Sequence, residues 1–328
     1  MKQYFPELRD QFRSLAEAAA GVRVCVIGHA RPDGDCVGSQ IAAQKLLAHF
    51  GLESFMANAD CVPNSLLYLE GSELISIFDR QMMNDTALLY VDCADEGRVG
   101  PKTSIALQGF RRIGNVDHHI SNTGFAEFNV VDQGASATCE ILAGIAFDLQ
   151  VTITPDLAQA LYTGIMTDTG RFGFAATSSR VFDLCANLVD CGASPQAAAE
   201  NLYENVSLAR LKLLERFLGT LEYACDGKVC IGELKQRDFL ETGTSYLDTE
   251  GFVDYARSVS DVAVGVLLEE RKTTTKGSLR AERKEIRVDQ VAAQFGGGGH
   301  ACAAAMSSAM SLEELRNGLI ESLRPRVS

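Results

Sequence analysis

Short apolar runs punctuate the first ~190 residues, at 22–27 (VRVCVI), 87–91 (ALLYV), 112–116 (RIGNV) and 127–131 (EFNVV). Runs of this length with little polar alternation predict strands buried on both faces of a parallel sheet. Between them, helices are predicted to begin near Ser39 and Ser136. A third helix carries fuller signals: Thr154 as N-cap, Pro155 in the first turn, and apolar positions at 157, 160, 161, 164 and 165. This alternation predicts an α/β fold, with a doubly wound, mostly parallel sheet over residues 1–190. In such sheets ligands gather beyond the carboxyl ends of the strands.

The pattern changes after residue 190. Residues 194–224 read as one long helix, with apolar positions at 208, 211, 214, 217, 218 and 221, so a helical linker is predicted over 191–224. Strand-like runs follow at 228–234, 261–268 and 276–282, then a short helix at 290–295 and four glycines, Gly296–Gly299. A capping box, Ser311 with Glu314, opens the last helix. A second, smaller α/β domain over 225–328 is expected.

At 328 residues and 46% hydrophobic content the chain has room for about two domains with sizeable cores. Ten cysteines are scattered without a C-x-x-C pair, which suits reduced thiols in the cytoplasm better than a disulfide or zinc scaffold. The charged N-terminal segment does not read as a signal peptide, and no run approaches the ~18 apolar residues of a membrane span, so no membrane partner is expected. The net charge of −13 weighs against a protein that tracks along nucleic acid. Either the substrate is short or a small local basic patch grips it; a short RNA or nucleotide is the expected partner, and long nucleic acid is not.

Three of the five histidines lie in acid-rich clusters at predicted strand ends. His29, Asp33 and Asp35 follow the run 22–27. Asp92 follows 87–91, and Asp117, His118 and His119 follow 112–116. Asp168 ends the helix that starts at Pro155. A single Asp at a strand end is usually a turn former or cap, and Val37 spoils a calcium-loop reading of Asp33–Asp35. Taken together, so many carboxylates on one sheet edge would repel one another strongly unless cations or protons neutralised them. Imidazole and carboxylate donors without thiolate suit Mn²⁺, with Mg²⁺, Co²⁺ or Zn²⁺ as alternatives. Two such ions about 3.5–4 Å apart, sharing a carboxylate, form a hydrolytic site for phosphate esters.

The string H-x-R-P-D-G-D-x-x-G-S (29–39), the separate Asp92, the Asp117-His118-His119 triplet and Asp168 resemble the four motifs of the DHH phosphoesterase superfamily. Gly296-Gly-Gly-Gly-His300 resembles the signature of its associated DHHA1 domain. Together they cover residues 20–310, and the nearest group is the bacterial nanoRNase and pAp phosphatases. The resemblance implies a DHH domain, a DHHA1 domain and an active site in the cleft between them. It implies one ion on His29, Asp33 and Asp92, and a second on Asp35, Asp92, His118 and Asp168. Asp117 would orient the site. His119 would face the scissile phosphate as a proton or hydrogen-bond donor. A metal-bound hydroxide would attack in line. One departure stands out: Ala-Cys-Ala-Ala-Ala follows His300 where relatives carry a basic residue and a glycine.

Substrate grip is expected from the second domain. Successive N–H groups of Gly297, Gly298 and Gly299 could cradle a phosphate. Ser278 and Arg280, two apart on a predicted strand, share one face, and Arg280 can fork onto phosphate. The resemblance adds His300. The expected reaction is hydrolysis of short oligoribonucleotides and 3′,5′-bisphosphonucleotides. Alternatives are a cyclic or linear dinucleotide phosphodiesterase and a non-catalytic nucleotide sensor, though a decayed sensor should have lost a ligand. An inorganic pyrophosphatase would lack the GGGGH string, and a RecJ-type exonuclease would need a longer C-terminal part.

Overall fold

The computed structural model describes residues 3–327, the His300 side chain excepted. The chain divides into two compact units, at Asn205 and Val206.

The first unit is built on six parallel strands, β1 (Arg23–Ile27), β2 (Ser54–Asn58), β3 (Ile75–Ile77), β4 (Thr86–Val91), β5 (Arg112–Asp117) and β6 (Phe128–Val131). Their order is β3-β2-β1-β4-β5-β6, so the sheet is doubly wound and reverses direction between β1 and β4. The strands predicted at 22–27, 87–91, 112–116 and 127–131 all form. β2 and β3 escaped the apolar-run criterion, because they mix polar with apolar residues. Period-two alternation divides the buried side chains. Val24, Val26, Leu89 and Val91 join one core, whereas Cys25, Ile27, Leu88 and Tyr90 join another on the opposite face.

Around the sheet lie α1 (Pro6–Ala18), α2 (Gly34–His49), α3 (Pro101–Ala106), α4 (Thr138–Asp148), α5 (Pro155–Asp168), α6 (Ser179–Asp190) and α7 (Pro195–Ala199). Helix α2 starts five residues before the expected Ser39, because the Asp33 carboxylate caps it, accepting from the N–H groups of Asp35 and Cys36. Gly38 lets α2 press on α5, since a Cβ there would stand 2.5 Å from the Ala160 carbonyl oxygen. Helix α4 starts at Thr138, two residues after the expected Ser136. Ser136 is held outside the helix by Glu140, which accepts from its N–H and its hydroxyl. Thr154 caps α5, accepting from the N–H of Leu157.

The long helix expected over 194–224 is broken. After α7 the chain passes through a π-turn at Glu200–Glu204 and leaves helical geometry at Asn205. Ser207 then caps a new helix, α8 (Leu208–Gly219), and β7 (Glu222–Ala224) follows. Periodicity could not show the break, since the apolar positions that marked the helix, 208 to 221, all lie after the new cap.

In the second unit come β8 (Val229–Leu234), α9 (Gln236–Thr242), α10 (Phe252–Arg257), β9 (Val264–Glu270) and β10 (Thr275–Ala281). They are followed by α11 (Val288–Gln294), β11 (Gly298–His300), β12 (Ala303–Ser308) and α12 (Leu312–Val327). The sheet order is β11-β12-β10-β9-β8-β7, with β8 and β9 parallel and the other pairs antiparallel. One face packs on α11 and α12 through Val266, Leu279, Val291 and Leu319, and the other on α8, α9 and α10 through Phe217, Phe239, Phe252 and Leu267. The capping box at Ser311 and Glu314 forms as expected. All ten cysteines are free thiols. No described helix is long and apolar enough to cross a membrane.

Candidate active site

Strand register brings the predicted donors to one edge. Ile27 of β1 lies level with Tyr90 of β4, and Val91 of β4 lies level with Val116 of β5. The residues that follow, His29, Asp92 and Asp117–His119, therefore leave the sheet side by side. His29 and Asp92 flank the point where the strand order reverses. The loop carrying His29 is braced from below, since Asn58 accepts from the N–H of Gly28 at 3.0 Å and donates to Gln40 at 2.8 Å. Asp92 turns with a left-handed backbone (φ 56°), uncommon for a residue with a Cβ.

His29, Asp33 and Asp92 converge so that one donor atom of each lies within 4.8 Å of the others, and so do Asp35, His118 and Asp168. His29 Nε2 stands 3.3 Å from Asp92 Oδ2 and 3.6 Å from Asp33 Oδ1. His118 Nε2 stands 3.2 Å from Asp168 Oδ2 and 3.6 Å from Asp92 Oδ1, so Asp92 lies between the two groups. The other ring nitrogens are engaged by backbone. His29 Nδ1 meets the Ala30 carbonyl at 2.9 Å and His118 Nδ1 the Ala135 carbonyl at 3.3 Å. With Nδ1–H donated to a carbonyl, each ring offers Nε2 as the lone-pair donor.

Asp117 is fully buried and accepts from two sides, 2.7 Å from His119 Nδ1 and 2.6 Å from the Asn122 amide. His119 Nδ1 is also 3.7 Å from Asp92 Oδ1. The N-terminus of α4 holds two of the carboxylates. Thr138 N–H and Cys139 N–H donate to the two oxygens of Asp35 at 2.6 and 2.8 Å, and the Thr138 hydroxyl lies 3.1 Å from Asp92 Oδ1. Buried Glu140 fixes the turn before the helix and is itself bound by Arg180 at 2.6 Å. Thr138, Asn122, Glu140 and Arg180 escaped the sequence reading. Thr138 and Glu140 had a faint signal, the run of small and hydroxyl residues Ala-Ser-Ala-Thr before an apolar helix, and Asn122 and Arg180 had none.

Crowding perturbs these groups. Burial, reinforced by Asp92 and Asp168, holds the Asp35 carboxyl well above the usual range. Burial also pushes Asp168 up, to about 6, although His118 opposes it. Burial disfavours a charged His118, yet Asp168, Asp35 and Asp92 outweigh it and raise the ring to about 10. Burial would raise Asp92 too, but His29, His118 and His119 hold it below the usual carboxylate range. His118 Nε2 is buried without a hydrogen-bond partner. An orphaned imidazole nitrogen facing buried carboxylates is the donor set that a divalent cation satisfies. The Cys36 thiol, near His29, is pushed up by burial and so offers no thiolate.

The second set of predicted residues lies in the other unit. Ser278 and Arg280 are half-buried on β10, and register puts Ser278 level with Ala305 and Gly298, and Arg280 level with Ala303 and His300. The His300 side chain lies outside the described part of the structure. Arg280 Nε is 3.5 Å from Asp254 Oδ1. Gly296 and Gly297 do not offer free N–H groups to a cradle. The N–H groups of Gly296 and Gly297 donate to Ala293 and Ala292 and close the end of α11, while Gly298 and Gly299 belong to β11. Their lack of a side chain serves strand pairing instead, since a Cβ at Gly297 would sit 2.2 Å from the Ala305 carbonyl oxygen.

The model of the DHH family N-terminal domain matches residues 23–165, and that of the DHHA1 domain matches residues 226–324. This chain belongs to the DHH family. As a DHH protein with a DHHA1 domain it is a phosphoesterase, a hydrolase. It is 28% identical to a bifunctional oligoribonuclease and PAP phosphatase of Thermus thermophilus, over 98% of this chain and 96% of that one. It is 26% identical to the protein of the same name in Mycoplasma genitalium, over 88% and 90%. An exopolyphosphatase-related protein from Bacteroides fragilis shares the fold at a TM-score of 0.89 and 23% identity, covering 98% of this chain and 97% of that one.

Proposed function

We propose that this DHH phosphoesterase hydrolyses short oligoribonucleotides and 3′,5′-bisphosphonucleotides with the help of two divalent cations, Mn²⁺ by preference. The observation that carries the reading is the pair of donor groups meeting at Asp92. Full-length similarity to oligoribonuclease and PAP phosphatases supports the substrate class. His29, Asp33 and Asp92 would hold one ion, and Asp35, Asp92, His118 and Asp168 the other. The absence of a thiolate favours Mn²⁺ or Mg²⁺ over softer choices. Bound there, the ions would supply an activated water and positive charge for the phosphate.

The chain's own residues do the rest. Asp117 fixes the His119 ring through Nδ1, and His119 donates a proton or hydrogen bond to the departing oxygen. Ser278 and Arg280 on β10 and His300 on β11, either side of β12 in the second unit, bind a phosphate remote from the scissile one, and Gly297–Gly299 let the edge strand lie close against β12. The ten free thiols suit the reducing cytoplasm. The test is a substrate panel with and without Mn²⁺: a 3′,5′-bisphosphonucleotide, RNA from dimer to 24-mer, cyclic dinucleotides and pyrophosphate. Cleavage of the bisphosphonucleotide and of dimers, dependent on Mn²⁺, is expected. Turnover of pyrophosphate alone, or of all substrates without a cation, would refute the reading.

A further inference from the structure

Directly after α5 three consecutive residues take left-handed backbone angles, Gly170 (φ +54°), Arg171 (φ 59°) and Phe172 (φ 64°). Residues with a Cβ adopt this conformation singly and at a cost, and it persists where the surroundings over-determine it. Here they do. Arg171 N–H donates to the Met166 carbonyl at 2.9 Å, Phe172 N–H to the Thr169 hydroxyl at 3.1 Å, and Phe174 N–H to the Thr169 carbonyl at 2.9 Å. The Arg171 guanidinium lies 3.8 Å from the centre of the Tyr203 ring.

This turn sends two phenylalanines opposite ways. Phe172 goes inward, its ring 6.1 Å from that of Tyr162 and 5.5 Å from that of Phe182. Phe174 folds back over Gly170, where a Cβ would come within 2.5 Å of its ring, and still remains 62% exposed. Isolated exposed apolar residues are common on protein surfaces. A phenyl ring held outward by a strained turn is not. The ring rests on a residue two positions from Asp168, and two residues span at most about 7 Å. A flat apolar surface is therefore fixed on the turn that directly follows Asp168.

We infer that Phe174 is a stacking platform for a nucleobase of the substrate. The inference rests on the nucleotide reading above and deepens it by naming what holds the base. Stacking on an aromatic face tolerates any base, because every base has a π-face. A platform of this kind suits an enzyme whose substrates share phosphates rather than a sequence.

The test compares substrates with and without a base. KM and kcat are measured for an RNA dimer and a 3′,5′-bisphosphonucleotide, and KM or the inhibition constant for ribose 3′,5′-bisphosphate, which has the same phosphates and no base. Phe174→Ala and Phe174→Leu should each raise KM for the base-bearing substrates roughly tenfold or more, the scale of a lost base–aromatic stack. Their affinity for the base-free compound should match wild type, and Phe174→Trp should bind all three at least as well. Melting temperatures should not move, since the ring is exposed. Unchanged KM for the base-bearing substrates, or an equal loss for the base-free compound, would overturn the platform. A wild-type protein that cleaves neither the dimer nor the bisphosphonucleotide would overturn the nucleotide reading and the platform with it.

Discussion

The Thr138 hydroxyl donates to Asp92 Oδ1 at 3.1 Å, while the Thr138 N–H donates to Asp35 Oδ2 at 2.6 Å. One residue at a helix N-terminus thus orients a carboxylate from the first turn of α2 and another from the end of β4. Partners of this kind typically govern metal affinity by 10–100-fold. Thr138→Val keeps the shape and removes the hydroxyl, so it should weaken Mn²⁺ binding by about tenfold or more, measured by titration calorimetry. Thr138→Ser restores the donor and should bind as wild type does. Equal affinity in the Val variant would show that Asp92 needs no such support.

His119 and His118 are neighbours with different expected roles. His119 Nδ1 is 2.7 Å from Asp117, and His118 Nε2 faces Asp168. His119→Ala should retain its cations and lose roughly 10²–10⁴-fold in kcat, the usual contribution of a positioned proton donor. His118→Ala should lose a cation. Metal analysis beside steady-state kinetics separates the two, and a His119→Ala protein lacking a metal equivalent would move that ring into the coordination sphere.

Cation binding should strengthen as pH rises. A cation needs His118 neutral and Asp168 ionised, and the metal-free protein raises both, His118 to about 10 and Asp168 to about 6. At neutral pH the protons to be displaced therefore come from His118, His29 and Asp35, all of which are held above their ordinary values. Calorimetry in buffers of different ionisation enthalpy should show net proton release on Mn²⁺ binding at pH 7. Stability of the chelated protein should run the opposite way. A raised histidine stabilises the fold fully below its ordinary value of about 6.5, and that contribution fades as pH climbs toward about 10. Melting curves from pH 6 to 10 with and without Mn²⁺ should diverge, and parallel curves would contradict the assignment.

Substrate length is expected to be read by the second unit. Arg280→Ala removes a charge-assisted contact of about 1.5–3 kcal/mol and should raise KM for short nucleotides by roughly 10–100-fold, with metal content unchanged. A strand longer than a few nucleotides must cross a surface whose net charge is −13. Rates should fall from dimers and trimers to long RNA, followed by gel analysis of a 24-mer. Processive digestion of that 24-mer at the dimer rate would point to an exonuclease instead.

Apolar runs bounded by turns mark strands whatever their partners, so four strands of the first sheet and the acidic and histidine side chains at their ends were legible in the sequence alone. Helix caps with a local signature, Thr154 and the Ser311–Glu314 box, were legible for the same reason: their partners lie within one turn. Short β2 and β3 carry no such run, and the helix expected over 194–224 broke at Asn205 and Ser207, ahead of the apolar positions that marked it. Tertiary structure alone decided which donors meet. His29 and Asp92 are 63 residues apart in the chain, and only the parallel register of β1 against β4 brings them within 3.3 Å. It also decided that the N–H groups of Gly296 and Gly297 would close the end of α11 on carbonyl partners, while Gly298 and Gly299 lie on an edge strand paired with β12. Local sequence determines which groups are available at the end of an element. Their meeting depends on contacts between segments far apart in the chain, which no local pattern records.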